Sequence, residues 1–298
     1  MRAEIIAKAL GGYKTGRSWM ARCPAHDDST PSLSISTGDN GSVLVYCHGL
    51  CDQSHVIAAL RSRGLWGDDV IPAIDIKQRH NQKTSRDLEE ENKKRSLYAL
   101  RIWNDCIQAH GALVETYLKA RGLNLPLPNS IRFHSGLKHQ SSEYLPAMVA
   151  LVTHGKDISP LAIHRTFLSH DGLSKAAVVP QKMMLGPCRG GVVRLAIPSD
   201  TLMVGEGIET CLAAMQATGK PAWAALSTSG LRALELPEYV RDVIVLADGD
   251  GAGETAAYEA GRNWRREGRL VRIARPPQGL DFNDMLLGRM PPVKKGWA

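Results

Sequence analysis

The chain has 298 residues, 43% of them hydrophobic, with 37 Lys and Arg against 30 Asp and Glu. That much apolar material excludes a globally disordered chain, and the lack of any apolar run near the roughly 20 residues of a membrane span excludes a spanning helix. The net charge of +7 suits a polyanionic partner, because Lys and Arg displace condensed counterions from a phosphate backbone.

The opening segment, MRAEIIAKALGGY, is too short and broken in its apolar residues for a secretory signal, and it reads as a short amphipathic helix. A cytoplasmic location is therefore expected. Residues 1–66 are rich in Cys, His, Gly and Ser and form a first domain. Within them PSLSIS and GSVLVYC read as the two strands of a hairpin. Residues 67–95 include KQRHNQKTSRDLEEENKKR, almost free of apolar side chains. This stretch reads as a solvated linker or the exposed start of a helix.

From 96 to 121, Leu97, Leu100, Trp103, Ile107, Leu113, Tyr117 and Leu118 recur at near-helical spacing, and Gly122 stops the pattern. One or two amphipathic helices follow from it. Residues 130–198 carry short apolar runs between turn signals such as HDG and CRGG, which predicts an antiparallel or mixed β-rich segment. From Thr201 onward strands and helices alternate: LMVG, IETCLAAMQATG, AWAAL, SGLRALEL, DVIVLAD, GETAAYEAGRNWRREG, LVRIAR and DFNDMLLG. Such alternation predicts a parallel sheet with helices on both faces.

Three of the six cysteines, Cys23, Cys47 and Cys51, lie near His26; Cys106, Cys188 and Cys211 are scattered. A metal site plus buried thiols fits this better than a disulfide framework. Cys23 and His26 form one chelating pair in CPAH, and Cys47 and Cys51 form another in CHGLC. Two such pairs supply a closed, structural, tetrahedral zinc site. His48 is a competing ligand, and Asp28 is read as merely shaping the loop. The stretch CPAHDDSTPSLSIS, with VYCHGLC after it, resembles the Cys-His-Cys-Cys zinc ribbon at the N-terminus of bacterial and phage primases. The resemblance implies that the ribbon contacts a single-stranded DNA template and helps choose the initiation site. The wider Cys47–Cys51 spacing departs from the commonest pattern.

Three acidic groups follow predicted strands: Glu206 with Glu209 beyond it, Asp248 with Asp250, and Asp281 with Asp284. Carboxylates at the C-terminal strand ends of a parallel sheet converge on one crevice, and hard oxygen donors suit Mg²⁺ or Mn²⁺. Taken singly they read otherwise. DGDGAG would be a turn, or a fragment of a calcium loop that lacks its downstream bidentate Glu, Glu209 a solvated charge in a helix's first turn, and Asp281 with Asp284 a helix cap. In this order, each beside a strand, they resemble the topoisomerase–primase (Toprim) domain over about residues 200–290. That resemblance implies a metal-site role for Glu206, Asp248, Asp250 and Asp281. It makes Ser227–Gly230 a loop lining the crevice, with Ser227 and Thr228 facing phosphates.

The segment 161–194 resembles the basic subdomain that precedes Toprim in primases and carries Arg165, Lys175, Lys182 and Arg194. Arg165 and Lys182 are expected to hold the incoming triphosphate, and Lys175 and Arg194 to help bind the nucleotide. The full expectation is an α/β protein: a zinc ribbon (1–66), a charged linker (67–95), a mixed α+β basic subdomain (96–199) and a Toprim parallel α/β sheet (200–298). It would be a primase that makes short RNA primers from NTPs with structural Zn²⁺ and catalytic Mg²⁺ or Mn²⁺. The rival readings are a metal-dependent Toprim nuclease and a non-catalytic single-stranded-DNA-binding accessory protein. No helicase region is evident after Toprim. A replicative helicase or replication initiator on a separate chain is therefore expected, and the short architecture points by analogy to a phage, plasmid or other mobile element.

Overall fold

The computed structural model describes residues 2–16, 18–26, 28, 30–38, 41–49, 51–66, 85–247, 251–277 and 280–289. They divide into two compact units, 1–88 and 89–298.

The first unit holds helix α1 (Arg2–Ala9), strands β1 (Tyr13–Thr15), β2 (Ser18–Ala21), β3 (Leu33–Thr37) and β4 (Val43–Cys47), and helix α2 (Gln53–Ser62). The strands form one antiparallel sheet in sequence order. The β3–β4 hairpin is the one expected, with Leu33 opposite Cys47 and Ile35 opposite Val45. Alternation puts Leu33, Ile35, Val43 and Val45 on one face, where they are all but fully buried. Ala3, Ile6, Ala7 and Leu10 recur at helical spacing and bring α1 into the same core, joined by Val56 and Leu60 of α2.

Helix α3 (Ser85–Asp105) carries the chain from the first unit into the second, and its first turns take up residues 85–95 of the charged stretch. Its Glu90–Lys94 pair stands at 2.7 Å, and such i,i+4 pairs favour a helix by a few tenths of a kcal/mol. Residues 67–84 of the expected linker lie outside the described residues. Helix α3 ends at Asp105, so Ile107 is not on a helix. It sits exposed on the two-residue strand β5 (Ile107–Gln108), before α4 (Leu113–Ala120).

Strands β6 (Ile131–Lys138), β7 (Tyr144–His154), β8 (Pro160–Phe167), β9 (Lys182–Leu185) and β10 (Gly191–Arg194) follow and pair antiparallel. Then β11 (Thr201–Gly205), α5 (Ile208–Thr218), β12 (Ala222–Ala224), α6 (Thr228–Ala233), β13 (Asp242–Leu246), α7 (Gly251–Arg266), β14 (Leu270–Ala274) and α8 (Phe282–Leu286) alternate as expected. The order β14-β13-β11-β12 is parallel throughout. Strand β12 also pairs antiparallel with β10, so the basic β-rich part and the parallel part share one ten-stranded sheet.

Both faces of that sheet are covered. One core joins Val114, Tyr117 and Leu118 of α4 to Ile208, Cys211 and Leu212 of α5, with Phe282 and Leu286 of α8 packed against it. Beyond the opposite face, Leu202, Val204, Val243 and Val245 meet Leu231 of α6 and Ala256, Ala257, Ala260 and Trp264 of α7. Helix α3 covers another patch with Ala99, Ile102 and Trp103, against Val149, Ile163 and Phe167. No described helix is long and apolar enough to cross a membrane.

Candidate functional site

Cys23, His26, Cys47 and Cys51 come together, with one ligand atom from each and all four atoms within 4.8 Å of one another. His26 Nδ1 lies 3.1 Å from Cys51 Sγ and 3.9 Å from Cys47 Sγ. The edges of a tetrahedron with zinc–ligand bonds of 2.0–2.3 Å are about 3.5–3.8 Å. Three sulfurs and one imidazole at such separations fit a closed, four-coordinate zinc site with no position left for chemistry. His48 is outside the set; its ring meets Tyr46 edge-on.

Asp28 does more than shape the loop. Its Oδ2 accepts bonds from the Cys23 amide (2.6 Å), the Ser32 amide (3.2 Å) and the Ser32 hydroxyl (2.6 Å). Its Oδ1 stands 3.6 Å from His26 Nε2. One carboxylate thus fixes the first knuckle and backs the far nitrogen of the histidine, as outer-shell carboxylates do at metal sites.

In the second unit, register aligns Gly205, Leu246 and Ala274, the last residues of β11, β13 and β14. Glu206 is therefore the first residue beyond the sheet edge, level with Ala247. The chain after β12 continues along the same edge, where the Ala225 amide bonds to the Gly205 carbonyl and the Leu226 amide to the Glu206 carbonyl. Leu226 has a φ of +68°, a conformation L side chains rarely adopt. It turns the chain into Ser227, which caps α6 by accepting from the Gly230 amide at 3.0 Å. A Cβ on Gly230 would overlap the Ala225 carbonyl, so this turn requires glycine. Asp248 and Asp250 lie outside the described residues. Asp281 caps α8, accepting from the Asp284 amide at 2.6 Å, while Asp284 accepts from the Asp281 amide at 3.2 Å. The cap reading of this pair is thus real, and a carboxylate engaged in one bond still has lone pairs to spare.

Strand alternation separates the basic residues. Thr166 faces Lys182 and His164 faces Met184 across the β8–β9 pair, so these four share a sheet face. Arg165 points to the opposite face. It is 8% exposed, with its guanidinium toward the Met184 carbonyl (3.3 Å) and over the Phe167 ring. The structure therefore does not bring Arg165 and Lys182 together. Arg194 is engaged elsewhere too, with Thr153 Oγ1 and the carbonyls of His154, Gly155 and Asp157 at 2.8–3.1 Å. It also stacks 4.0 Å from the Trp223 ring centroid.

Lys182 and Lys175 converge on Glu209, three residues after Glu206 in the first turn of α5. Glu209 is only 5% exposed. Lys182 Nζ donates to its Oε2 at 2.9 Å, the Tyr117 hydroxyl donates to Oε1 at 2.9 Å, and Lys175 Nζ lies 3.8 Å from Oε1. Burial opposes ionisation, but the two ammonium groups outweigh it and hold the Glu209 carboxyl well below the usual range. Burial, and then the Glu209 charge, push the Tyr117 hydroxyl up. Burial, together with the nearby Lys182 charge, lowers His164 to about 4. That imidazole is neutral at neutral pH. Sequence reasoning missed the role of Glu209, because a Glu in a first helical turn looks like a solvated charge. Its partners lie as far as 92 positions away.

Residues 93–195 match DUF7146, a domain of unknown function, and residues 201–290 match the Toprim domain family. Residues 201–290 form a Toprim domain. Among solved structures, the chain is similar to an Aquifex aeolicus primase fragment comprising its zinc-binding and RNA polymerase domains. The identity is 16%, covering 96% of this chain and 79% of that one, with a TM-score of 0.46. It is also similar to a DNA primase domain from Pseudomonas aeruginosa (16% identity, 65% and 74% covered, TM-score 0.42). A third is the primase fragment of the bacteriophage T7 primase-helicase protein (18% identity, 62% and 69% covered, TM-score 0.39). No curated protein sequence matches. The Toprim assignment puts a family boundary through the Glu209 cluster: Glu209 belongs to Toprim, while Tyr117, Lys175 and Lys182 belong to the segment of unknown function.

Proposed function

We propose that this chain is a DNA primase, a nucleotidyltransferase that makes short RNA primers on single-stranded DNA with Mg²⁺ or Mn²⁺. The observation that carries the reading is a Cys-His-Cys-Cys ligand set and a Toprim domain in one chain. The Toprim carboxylates follow parallel strands that end at one sheet edge. Glu206, Asp248, Asp250 and Asp281 would hold the divalent ions, and their hard oxygen donors fit that role. When bound, such an ion acidifies the attacking 3′-hydroxyl and stabilises the leaving pyrophosphate.

Lys182 and Lys175 are the cations that meet the triphosphate. Each ammonium has three donors, and Lys182 spends one on Glu209. Ser227 and Thr228, on the turn at the same edge, offer hydroxyl and backbone N–H groups to phosphate oxygens. Arg165 acts from the far face of the β8–β9 hairpin by holding the strands that carry Lys182. Arg194 acts at the joint between β10 and β12. The zinc-bound first unit meets the template strand and biases where synthesis starts. A replicative helicase or replication initiator on a separate chain is the partner this reading expects.

The test is incorporation of labelled NTPs on single-stranded DNA with Mg²⁺ or Mn²⁺, beside the same DNA without NTPs. The reading predicts short RNA products and intact DNA. Metal-dependent nicking without primers would replace it with a Toprim nuclease.

A further inference from the structure

Glu209 is the one carboxylate among the buried polar residues described. Buried ion pairs can often be replaced by apolar side chains at no cost in stability, so the burial of this carboxylate is weak evidence for a purely structural role. Its three partners all come from the 93–195 segment: Tyr117 from α4, Lys182 from β9, and Lys175 from the β8–β9 connection, where it bridges Leu168.

The exposures are graded. The Glu209 side chain is 7% exposed, that of Lys175 24% and that of Lys182 37%. The carboxylate is the inner anchor and the two ammonium groups stand outward of it, with one positive charge in excess. His164 adds none, since burial keeps it neutral. Glu206 is three residues upstream, and three residues of chain span at most about 11 Å. The first turn of α5 therefore ties the lysine pair to the sheet edge that carries the Toprim carboxylates.

We infer that Glu209, itself held by the Tyr117 hydroxyl, is a positioning residue that sets where Lys182 and Lys175 stand toward the triphosphate. The inference rests on the primase reading for the identity of the anion, a nucleoside triphosphate.

The test is amine-labelling kinetics of Lys175 and Lys182, read by mass spectrometry on the full chain with and without inorganic triphosphate. Triphosphate should slow labelling of both lysines several-fold. Glu209→Gln should speed it several-fold, because amines released from the carboxylate stand more open to the reagent. Tyr117→Phe should act in the same direction and less. In primer synthesis, Glu209→Gln should lower kcat/KM for ATP by about 10- to 100-fold. A purely electrostatic role would give the reverse, since the variant makes the site more positive.

A folded Glu209→Gln protein with labelling and kcat/KM within about twofold of wild type overturns the inference, as does wild-type labelling unaffected by triphosphate. If Glu209→Gln does not fold, Tyr117→Phe decides, and unchanged labelling in that variant overturns it. Wild-type protein that makes no primers, yet shows both labelling effects, would sink the primase reading and leave the positioning role standing.

Discussion

The Cys23–His26–Cys47–Cys51 cluster and the Glu209 cluster are each built from four side chains, yet the chain encodes them differently. In the first, each chelating pair is local, and one hairpin brings the pairs together. In the second, a first-turn glutamate meets a tyrosine 92 positions away and a lysine 27 positions away. Spacing betrays the first cluster. Only the packed sheet reveals the second. Each cluster is also held differently: the first by donors suited to a metal, the second by opposite charges that leave one positive charge in excess.

That contrast sets the scale of what should happen when each is broken. The largest effect belongs to zinc. Structural zinc sites contribute about 10–16 kcal/mol, comparable to the whole stability of a domain. Chelation, or Cys47→Ser, should therefore unfold residues 1–66, seen as protease sensitivity confined to that unit with loss of one zinc per chain. A metal-free unit that stays resistant would contradict the assignment.

Acid comes next, and here the second unit should respond. His164 has its pKa lowered to about 4 from 6.5, so the unfolded chain binds its proton first. Stability present above pH 6.5 is then lost as pH falls toward 4, by roughly 3 kcal/mol at 1.36 kcal/mol per unit. Glu209 is also depressed, from 4.5, so its contribution is lost only below that value. Urea midpoints followed from pH 7.5 to 3 should show both windows. His164→Gln should flatten the upper one alone, and an unchanged upper window would refute the assignment.

Arg194→Met removes a guanidinium bonded to three backbone carbonyls and stacked on Trp223. It should cost about 3 kcal/mol of stability, read in the same denaturation experiment; a loss under about 1 kcal/mol would demote the clamp. The smallest effect is expected from Gly230→Ala, which forces the Ala225 carbonyl aside at about 1–3 kcal/mol. Because that turn lies on the sheet edge, nucleotide incorporation should fall more than stability does.

Much of the fold is legible in the residues. The strand and helix alternation after Thr201 reads directly, because LMVG and DVIVLA are short, mostly buried apolar runs and LVRIA is a short β-branched run on the sheet's outer strand, each set between helices with glycine stops. The β3–β4 hairpin reads from the alternation of Leu33, Ile35, Val43 and Val45. Ile107 misleads, since apolar spacing carries on past the point where α3 ends. The site is legible in part. Glu206 and Asp281 fall beyond strands as their order suggests. Arg165 and Lys182 look alike in sequence, but period-two alternation and the β8–β9 register put them on opposite faces. The carbonyls that occupy Arg194 come from a loop about 40 positions away, which no local pattern announces. Asp28 looks like a turn residue because its bonds to Cys23 and Ser32 are local, while its approach to His26 depends on the knuckle being closed.

The most direct test of the central claim is primer synthesis on single-stranded DNA by wild-type protein and by an Asp248→Ala, Asp250→Ala variant, with Mg²⁺ or Mn²⁺ and labelled NTPs. The account predicts short RNA products from the wild type and none from the folded variant. Products of equal yield from the variant, or none from the wild type on any template, would contradict it.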